Sequence, residues 1–423
     1  MPPGCGGKPA VNKHRMNKEL TSFAARLREI ILGRDAALRR PDSAARCPYP
    51  DPEFSELALE LFALQFQQNP AYRKICEARG LTPTVVEHWT QIPAVPTSAF
   101  KELELSCIPP EERTAVFHSS GTTEQKPSRH FHCAESLAVY EASLWAGFRE
   151  NLRFTIYDLR LICLTPPPEQ APHSSLVHMF ETVRQKFGGA SVPASRHEFF
   201  GKLADDGSWI LDFEAVFATL KSSIVNRQSS ILLGTAFSFV HLLDCLVERD
   251  LRVELPPGSR VMETGGYKNR SRTLPKPELH ALITERLGVP RENILCEYGM
   301  SELSSQAYDG VRPSPGAAAL NLRAASDLPG ATGKSALQRP GRAHSDQGVF
   351  RFSPWARVQI ISPETGREAA EGETGLIRIF DLANVFSVAA IQTEDLGIRR
   401  GDGFELIGRA QLAEPGGCSL MTA

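Results

Sequence analysis

The sequence predicts an α/β fold in which helices alternate with the strands of a parallel sheet. Between residues 159 and 298, short apolar runs of strand type alternate with longer segments of helical periodicity, which is the pattern of βαβ units. The predicted strands are residues 159–165, 230–235, 259–263 and 293–298, and the predicted helices are 135–151, 174–187, 212–225, 237–249 and 276–287. With 42% apolar residues in a chain of 423, a sizeable core can form.

Two flanking regions complete the predicted architecture. Residues 17–33 and 52–68 have apolar residues on one helical face and predict amphipathic helices. Gly33 is the predicted C-cap of the first of them, with a loop from residue 34 to 51. On the other side, residues 357–361, a turn at 363–366 and residues 375–380 predict a small antiparallel β subdomain, and residues 404–407 with a Gly-rich tail close the chain.

Composition excludes several function classes. A formal net charge of −2 gives no reason to expect nucleic acid or an anionic membrane as partner. The nine cysteines have no C-x-x-C spacing, and no run reaches the roughly 18 apolar residues of a membrane span. No signal peptide is recognisable, so we expect a cytoplasmic protein with free thiols.

Two segments lack apolar periodicity and are expected to be flexible. Residues 1–15 are rich in Pro, Gly and Lys and predict a disordered N-terminus, which leaves Met16 as a second candidate start beside Met1. Residues 311–344 are rich in Ala, Gly, Pro, Ser and Arg and predict a flexible insertion.

A loop at residues 118–127 (HSSGTTEQKP) is the first candidate site. Its hydroxyls, backbone N–H groups and lysine are suited to surround an anion. The residues concerned are Ser119, Ser120, Gly121, Thr122, Thr123 and Lys126. The loop is not a Walker loop, because G-x-x-x-x-G-K-[ST] does not occur in the chain. Taken alone, it could equally be a polar turn.

Further motifs follow at the ends of predicted strands. Residues 263–267 (ETGGY) and 297–302 (EYGMSE) each come directly after an apolar strand, and residues 393–397 (TEDLG) and 408–409 (GR) come later. In open parallel sheets, ligands bind outside the carboxyl ends of strands. The periodicity therefore predicts a binding site at the first two of these motifs.

In this order, the motifs resemble those of the adenylate-forming ligases, the superfamily of acyl-CoA synthetases, adenylation domains and luciferase. Within it, the chain is most similar to the acyl-protein synthetases that supply fatty acyl groups to the bacterial luminescence reductase. This closer likeness also rests on residues 92–101, 381–384 and 408–420. The resemblance implies one large domain at residues 16–407, with parallel βαβ sheets and a small β subdomain. A short hinge and a cysteine-bearing tail would follow at 408–423.

The resemblance also implies roles for single residues. ATP would be bound by the six loop residues together with Gly265, Gly266, Tyr298 and Asp395. The hydroxyl of Ser301 would contact the α-phosphate, Glu302 would hold Mg²⁺, and Arg409 would act near the hinge. Structural alternatives remain for each: a helix cap for Ser301, a core residue for Tyr298, a turn for Asp395 and a surface charge for Arg409.

The chain departs from the superfamily pattern in two places. Glu124 stands where the family has Gly, and Lys126-Pro127 stands where it has Pro-Lys, which puts the role of Lys126 in doubt. The chain also ends 14 residues after Arg409, so the C-terminal domain with the catalytic lysine is expected to be truncated or absent. The acyl-protein synthetases are similar in this respect. Their tail cysteine, which receives the acyl group, matches Cys418; the alternative is a tail thiol without a role.

The predicted function is that of an ATP-dependent acyl-protein ligase. It would activate a carboxylate, by resemblance a long-chain fatty acid, as acyl-AMP and then form a thioester on a protein cysteine for an acyl reductase. One alternative is a ligase that passes an acyl or aryl group to coenzyme A. Another is a nucleotide-binding scaffold without turnover.

The pattern His130-x-His132-Cys133 is a poor metal site, because Cys133 would face away from the histidines on a strand.

Overall fold

The computed structural model describes residues 13–38, 51–119, 126–152, 159–187, 197–205, 207–267, 271–310 and 348–410. The helices are α1 Lys13–Leu38, α2 Asp51–Gln68, α3 Pro70–Ala78, α4 Ala99–Glu102, α5 Ala134–Leu152, α6 Ser175–Phe187, α7 Phe213–Val225, α8 Ala236–Glu248 and α9 Lys276–Leu287. The strands are β1 Val95–Pro96, β2 Ala115–His118, β3 Arg129–His132, β4 Arg160–Cys163, β5 His197–Phe199, β6 Gly201–Leu203, β7 Trp209–Leu211, β8 Ser230–Thr235, β9 Arg260–Thr264, β10 Ile294–Tyr298, β11 Ala307–Tyr308, β12 Val349–Phe352, β13 Ala356–Ile361, β14 Thr374–Asp381, β15 Ala390–Arg400 and β16 Gly403–Arg409.

The predicted α/β architecture is confirmed in the middle of the chain. Strands β5, β4, β8, β9 and β10 pair in that order and are all parallel. Side chains on one face of these strands pack against α7, α8 and α9, and those on the other face pack against α5 and α6. Both faces of the sheet are therefore covered, as the near-continuous apolar character of the strands requires. The carboxyl ends of β8, β9 and β10 form one edge.

The antiparallel strands continue this sheet. β13 and β14 pair as the sequence predicts, but β11 and β12 connect them to the parallel strands in the order β10, β11, β12, β16, β15, β14, β13. The 11-residue strand β15 was not predicted from sequence, because its central residues 392–395 are polar and acidic. It carries Asp395 toward the edge where the parallel strands end.

The N-terminal helices pack on a separate core and correct one prediction. The apolar face of α1 is buried as predicted, through Leu20, Phe23, Leu27 and Ile31. The predicted C-cap at Gly33 is wrong, because α1 continues to Leu38. Helix α3 is not among the predicted helices, although Asn69 before Pro70 is a helix-start signal; the side chain of Asn69 accepts a hydrogen bond from the Tyr72 N–H as N-cap.

Several predicted features fall partly or wholly outside the described residues. Helix α1 begins at Lys13, inside the segment that was expected to be disordered, and residues 1–12 are not described. The expected insertion at 311–344 also lies outside the described part. Within the described part, no helix combines the length and apolar character needed to cross a membrane.

We expect Gly33→Ala to raise the thermal midpoint of unfolding. Gly33 is exposed inside α1, and a Cβ there would meet no atom within 4 Å. Alanine in a helix interior is more stable than glycine by roughly 0.5–1 kcal/mol. Gly288, which ends α9 at φ +66°, provides the opposite control, since Gly288→Ala should lower the midpoint. A loss of stability in Gly33→Ala, measured by thermal denaturation, would contradict a helix that continues past this residue.

Candidate active site

The candidate phosphate loop is held at its base by a hairpin. Strands β2 and β3 are antiparallel, and their pairing ends at His118 and Arg129. One residue beyond this pair, the Ser119 N–H donates to the Ser128 carbonyl at 3.3 Å. The Ser128 N–H in turn donates to the Ser119 Oγ at 3.0 Å. The predicted phosphate ligands Ser120, Gly121, Thr122 and Thr123 lie outside the described residues. Their stem is nevertheless fixed, because Ser119 and Ser128 close it.

The hairpin stem contacts the motif that follows β10. The hydroxyl of Ser128 donates to Glu302 Oε1 at 2.5 Å, and it lies 3.5 Å from the Ser301 Oγ. The Ser301 Oγ donates to Glu302 Oε2 at 3.0 Å. All three side chains are buried. Ser301 and Glu302 are predicted site residues, and Ser128 comes directly after the loop motif. Their two hydroxyls and one carboxylate thus form one oxygen-rich cluster.

Two further side chains hold the backbone of this cluster. The His130 Nδ1 lies 2.8 Å from the Ser301 carbonyl oxygen, and the Asn384 Nδ2 donates to the Glu302 carbonyl oxygen at 2.8 Å. Since a carbonyl only accepts, Nδ1 of His130 carries the proton. Burial lowers the pKa of His130 to about 4, so the ring is neutral at neutral pH. Ser301 lies in a turn, so the alternative of a helix cap is wrong.

The segment after Glu302 is anchored by a buried carboxyl group. Asp381, at the end of β14, accepts hydrogen bonds from the Ser304 N–H at 2.9 Å and from the Ser305 Oγ at 2.7 Å. It also accepts from the Ala383 N–H at 2.9 Å. Burial nevertheless raises the pKa of Asp381 to about 6. Together with Asn384, this carboxyl connects the antiparallel strands to the Ser301–Glu302 turn.

A second polar group lies where β10 ends and β15 passes it. The hydroxyl of Tyr298 donates to Asp395 Oδ2 at 2.8 Å, and Arg409 Nε lies 3.6 Å from Asp395 Oδ1. Asp395 pairs with Arg409 across β15 and β16, so it is not the turn residue that the alternative proposed. Burial raises the pKa of Asp395, while Tyr298 and Arg409 oppose that shift. The Arg409 side chain is 80% exposed, whereas Tyr298 is buried.

Gly265 and Gly266, called here the glycine shelf, form a stretch of uncovered backbone at the end of the strand next to the one that carries Tyr298. They follow β9, which pairs with β10, and a Cβ built on either glycine would meet no atom within 4 Å. Gly265 has φ +67°, a conformation that other L residues rarely adopt. The backbone here can therefore approach a flat ligand closely. This open backbone is suited to a flat base, and the carboxylate of Asp395 can accept hydrogen bonds from sugar hydroxyls. Both features fit the adenosine part of ATP.

Lys126 lies on the far stem of the loop. Its Nζ is 3.6 Å from Glu102 Oε2, and both side chains are more than half exposed. This contact is a weak surface ion pair. The assignment of Lys126 to the phosphates therefore stays a prediction. The assignments of Ser120 to Thr123 and of Cys418 also stay predictions, because these residues lie outside the described part.

The donor set near Glu302 fits a hard cation. Ser128, Ser301 and Glu302 offer oxygen atoms alone, and Mg²⁺ prefers oxygen ligands, commonly one or two carboxylates supplemented by substrate phosphates. Within the described residues, no group of three or more His, Cys, Asp or Glu side chains is placed to hold a metal by itself. The cluster therefore fits Mg²⁺ that arrives with a nucleotide.

Sequence reasoning missed three residues of the site. Ser128 and His130 come just after the loop motif, but the sequence predictions include no role for Ser128 and name His130 only in a metal pattern of poor geometry. Asn384 belongs to a recognised motif without an assigned role. The alternation of β3 was the available signal, because it places Ser128, His130 and His132 on one face of the strand.

Comparisons with known proteins give the family and the fold of the chain. A family model described as "Acyl-protein synthetase, LuxE" matches residues 50–308. A long-chain-fatty-acid–luciferin-component ligase of Vibrio harveyi is 22% identical over 378 residues, 86% of each chain. The ligase of the same name from Aliivibrio fischeri is 23% identical over 384 residues, 87% of each chain. A solved 2-hydroxyisobutyryl-CoA ligase in complex with 2-HIB-AMP and CoA shares the fold, with a TM-score of 0.58 and 14% identity over 88% of this chain and 72% of its own.

We expect Glu297→Gln to stabilise the protein in a pH-dependent manner. Glu297 is buried on β10, accepts a hydrogen bond from Thr264, and has its pKa raised by burial to about 7. The pKa of an unfolded glutamate is about 4.3, so ionisation costs folding free energy progressively between these two values. Glutamine keeps the hydrogen-bond acceptor and has no such cost. The variant's gain in thermal midpoint should therefore be smallest near pH 4 and largest above pH 7.

Glu111→Gln, at an exposed position, controls for the change in net charge. Thermal denaturation from pH 4 to pH 8 checks the expectation. The difference in thermal midpoint between Glu297→Gln and the parent is compared at pH 4 and at pH 8. If this difference is the same at both pH values, Glu297 is not held in its neutral form.

Proposed function

The chain belongs to the LuxE family of acyl-protein synthetases and is an AMP-forming ligase, and we propose that it activates a long-chain fatty acid with ATP and transfers the acyl group to Cys418. The observation that carries the proposal is the contact of the phosphate-loop stem with the Ser301–Glu302 turn through Ser128. The fatty acid is inferred from the names of the relatives in Vibrio harveyi and Aliivibrio fischeri.

In the first reaction, the carboxylate oxygen attacks the α-phosphorus of ATP, the bond to pyrophosphate breaks, and acyl-AMP forms. Asp395, with the Tyr298 hydroxyl beside it, can accept hydrogen bonds from the ribose hydroxyls. The shelf at Gly265 and Gly266 would receive the adenine. Arg409 is exposed near the ribose site, and its charge is available to a phosphate.

The cluster around Glu302 would serve the phosphates. Ser301 offers a hydroxyl donor to the α-phosphate, and the loop from Ser119 to Lys126 would surround the other two phosphates with N–H and O–H groups. Glu302 would hold Mg²⁺, which neutralises triphosphate charge when it is bound. The hydroxyl of Ser128 donates to Glu302 Oε1 and that of Ser301 to Oε2, and both hydrogen bonds would rearrange around a bound cation.

The second reaction needs a thiolate that can reach the acyl-adenylate. Its sulfur attacks the acyl carbon, AMP leaves, and a thioester forms. The six cysteines in the described part are buried, and burial raises the pKa of each thiol, which disfavours this role for them. Cys418 follows Gly416-Gly417 near the end of the chain. An acyl reductase is the proposed protein that takes the acyl group from it.

We expect exchange of labelled pyrophosphate into ATP that depends on a long-chain fatty acid and Mg²⁺. Glu302→Gln should reduce this exchange by roughly a hundredfold or more, because loss of one well-placed electrostatic contact in a transition state has effects of this size. Glu292→Gln, at an exposed position, is the control. If a folded wild-type protein exchanges with no fatty, aromatic or amino acid, the proposed reaction is wrong.

Cys418→Ser should separate the two reactions. Pyrophosphate exchange should persist, because acyl-AMP forms without the thiol. Labelling of the protein by radioactive fatty acid and ATP, in a hydroxylamine-sensitive bond, should disappear. Cys5→Ser and Cys47→Ser, the other cysteines outside the described part, serve as controls. Unchanged labelling of Cys418→Ser would exclude it as acceptor, and acylation of coenzyme A with no protein labelling would favour a coenzyme A ligase.

A further inference from the structure

We propose that His130 is a positioning residue for the adenylation reaction. It acts through the backbone of the Ser301–Glu302 turn. Its Nδ1–H donates to the Ser301 carbonyl oxygen at 2.8 Å. The proposal rests on the proposed function, since the turn is taken to contact the nucleotide. It adds to that function a residue that does not itself touch ATP.

The hydrogen bond joins two parts of the chain that are far apart in sequence. His130 belongs to β3, whereas Ser301 follows β10, 171 positions later. The imidazole is buried, with ring centroids 6.4 Å from Phe100 and 4.4 Å from His132. The ring is therefore enclosed, and its donor is directed at one acceptor.

Anchoring a backbone carbonyl has a consequence that anchoring a side chain would not have. It fixes the turn without using the side-chain oxygens of Ser301 and Glu302, which are the atoms assigned to the ligand. Asn384 holds the next carbonyl, that of Glu302, in the same way from the antiparallel strands. The two carbonyls of the turn are thus held from two different elements. The Ser128 contact differs, because it occupies the carboxylate itself.

A histidine buried for packing alone would also lie in such a position, and His132 allows the two roles to be separated. His132 lies two residues further on the same face of β3 and is equally buried. Its Nδ1 lies 3.1 Å from the Ser136 Oγ, which is a local contact at the start of α5. The two histidines therefore share strand, face and burial, and differ in the element that the hydrogen bond reaches.

The test compares His130→Leu, His130→Asn and His132→Leu. Leucine removes the donor, whereas the asparagine Nδ2 can take the place of the histidine Nδ1. Loss of an outer residue that orients a ligand typically costs about 10- to 100-fold in activity or metal affinity. We expect a loss of this size in kcat of pyrophosphate exchange for His130→Leu, with the KM for the fatty acid unchanged. His130→Asn should recover most of the loss, and His132→Leu should retain the parent's kcat.

A binding measurement makes the result independent of turnover. The rise in thermal midpoint caused by a non-hydrolysable ATP analogue is measured with Mg²⁺ and with EDTA. Its Mg²⁺-dependent part should shrink in His130→Leu and be retained in His130→Asn and His132→Leu. If wild type shows no exchange with any acid, the proposed function fails, and this measurement still decides the role of His130. Equal defects in His130→Leu and His132→Leu, or no recovery in a folded His130→Asn, would overturn the proposal.

Discussion

The structure depends on a contact between the β2–β3 hairpin and the carboxyl edge of the parallel sheet. Ser128 Oγ reaches the carboxylate of Glu302 across 174 positions of sequence, and the His130 ring reaches the carbonyl next to it. Buried polar groups need such partners, because an unpaired carboxylate or carbonyl in the interior is costly. The hairpin stem and the turn therefore satisfy each other's hydrogen bonds. The two ends of the candidate phosphate loop, Ser119 and Ser128, are consequently held next to the Ser301–Glu302 turn.

The continuous sheet extends this arrangement to the ribose side. Because β11 and β12 connect the antiparallel strands to β10, β15 passes the end of β10, where Asp395 meets the hydroxyl of Tyr298. Asn384, in the turn that follows β14, holds the Glu302 carbonyl from the same side. The antiparallel strands thus contribute to both ends of the candidate nucleotide site. Their contribution would be lost if they packed as a separate unit without these hydrogen bonds.

The parallel sheet and the positions of its polar ends could be predicted from sequence, and the contacts that assemble the site could not. Strands β8 and β10 are buried on both faces, and the mostly apolar runs that form them are recognisable in the sequence. Strand β15 has no such run, because its interior includes the polar stretch that carries Asp395. Gly33 is a C-cap signal in the sequence, but α1 continues to Leu38. The roles of His130 and Asn384 depend on contacts between residues far apart in sequence, which periodicity does not report.

The central claim is that the Glu302 cluster and the Tyr298–Asp395 pair bind one nucleotide. A crystal structure with Mg²⁺ and a non-reactive sulfamoyl analogue of a fatty acyl-adenylate tests it most directly. The account predicts ribose hydroxyls within hydrogen-bonding distance of Asp395, adenine beside Gly265 and Gly266, and the sulfamoyl group near the Ser301 hydroxyl. An analogue bound elsewhere, with Asp395 and Ser301 both free of it, would contradict the account.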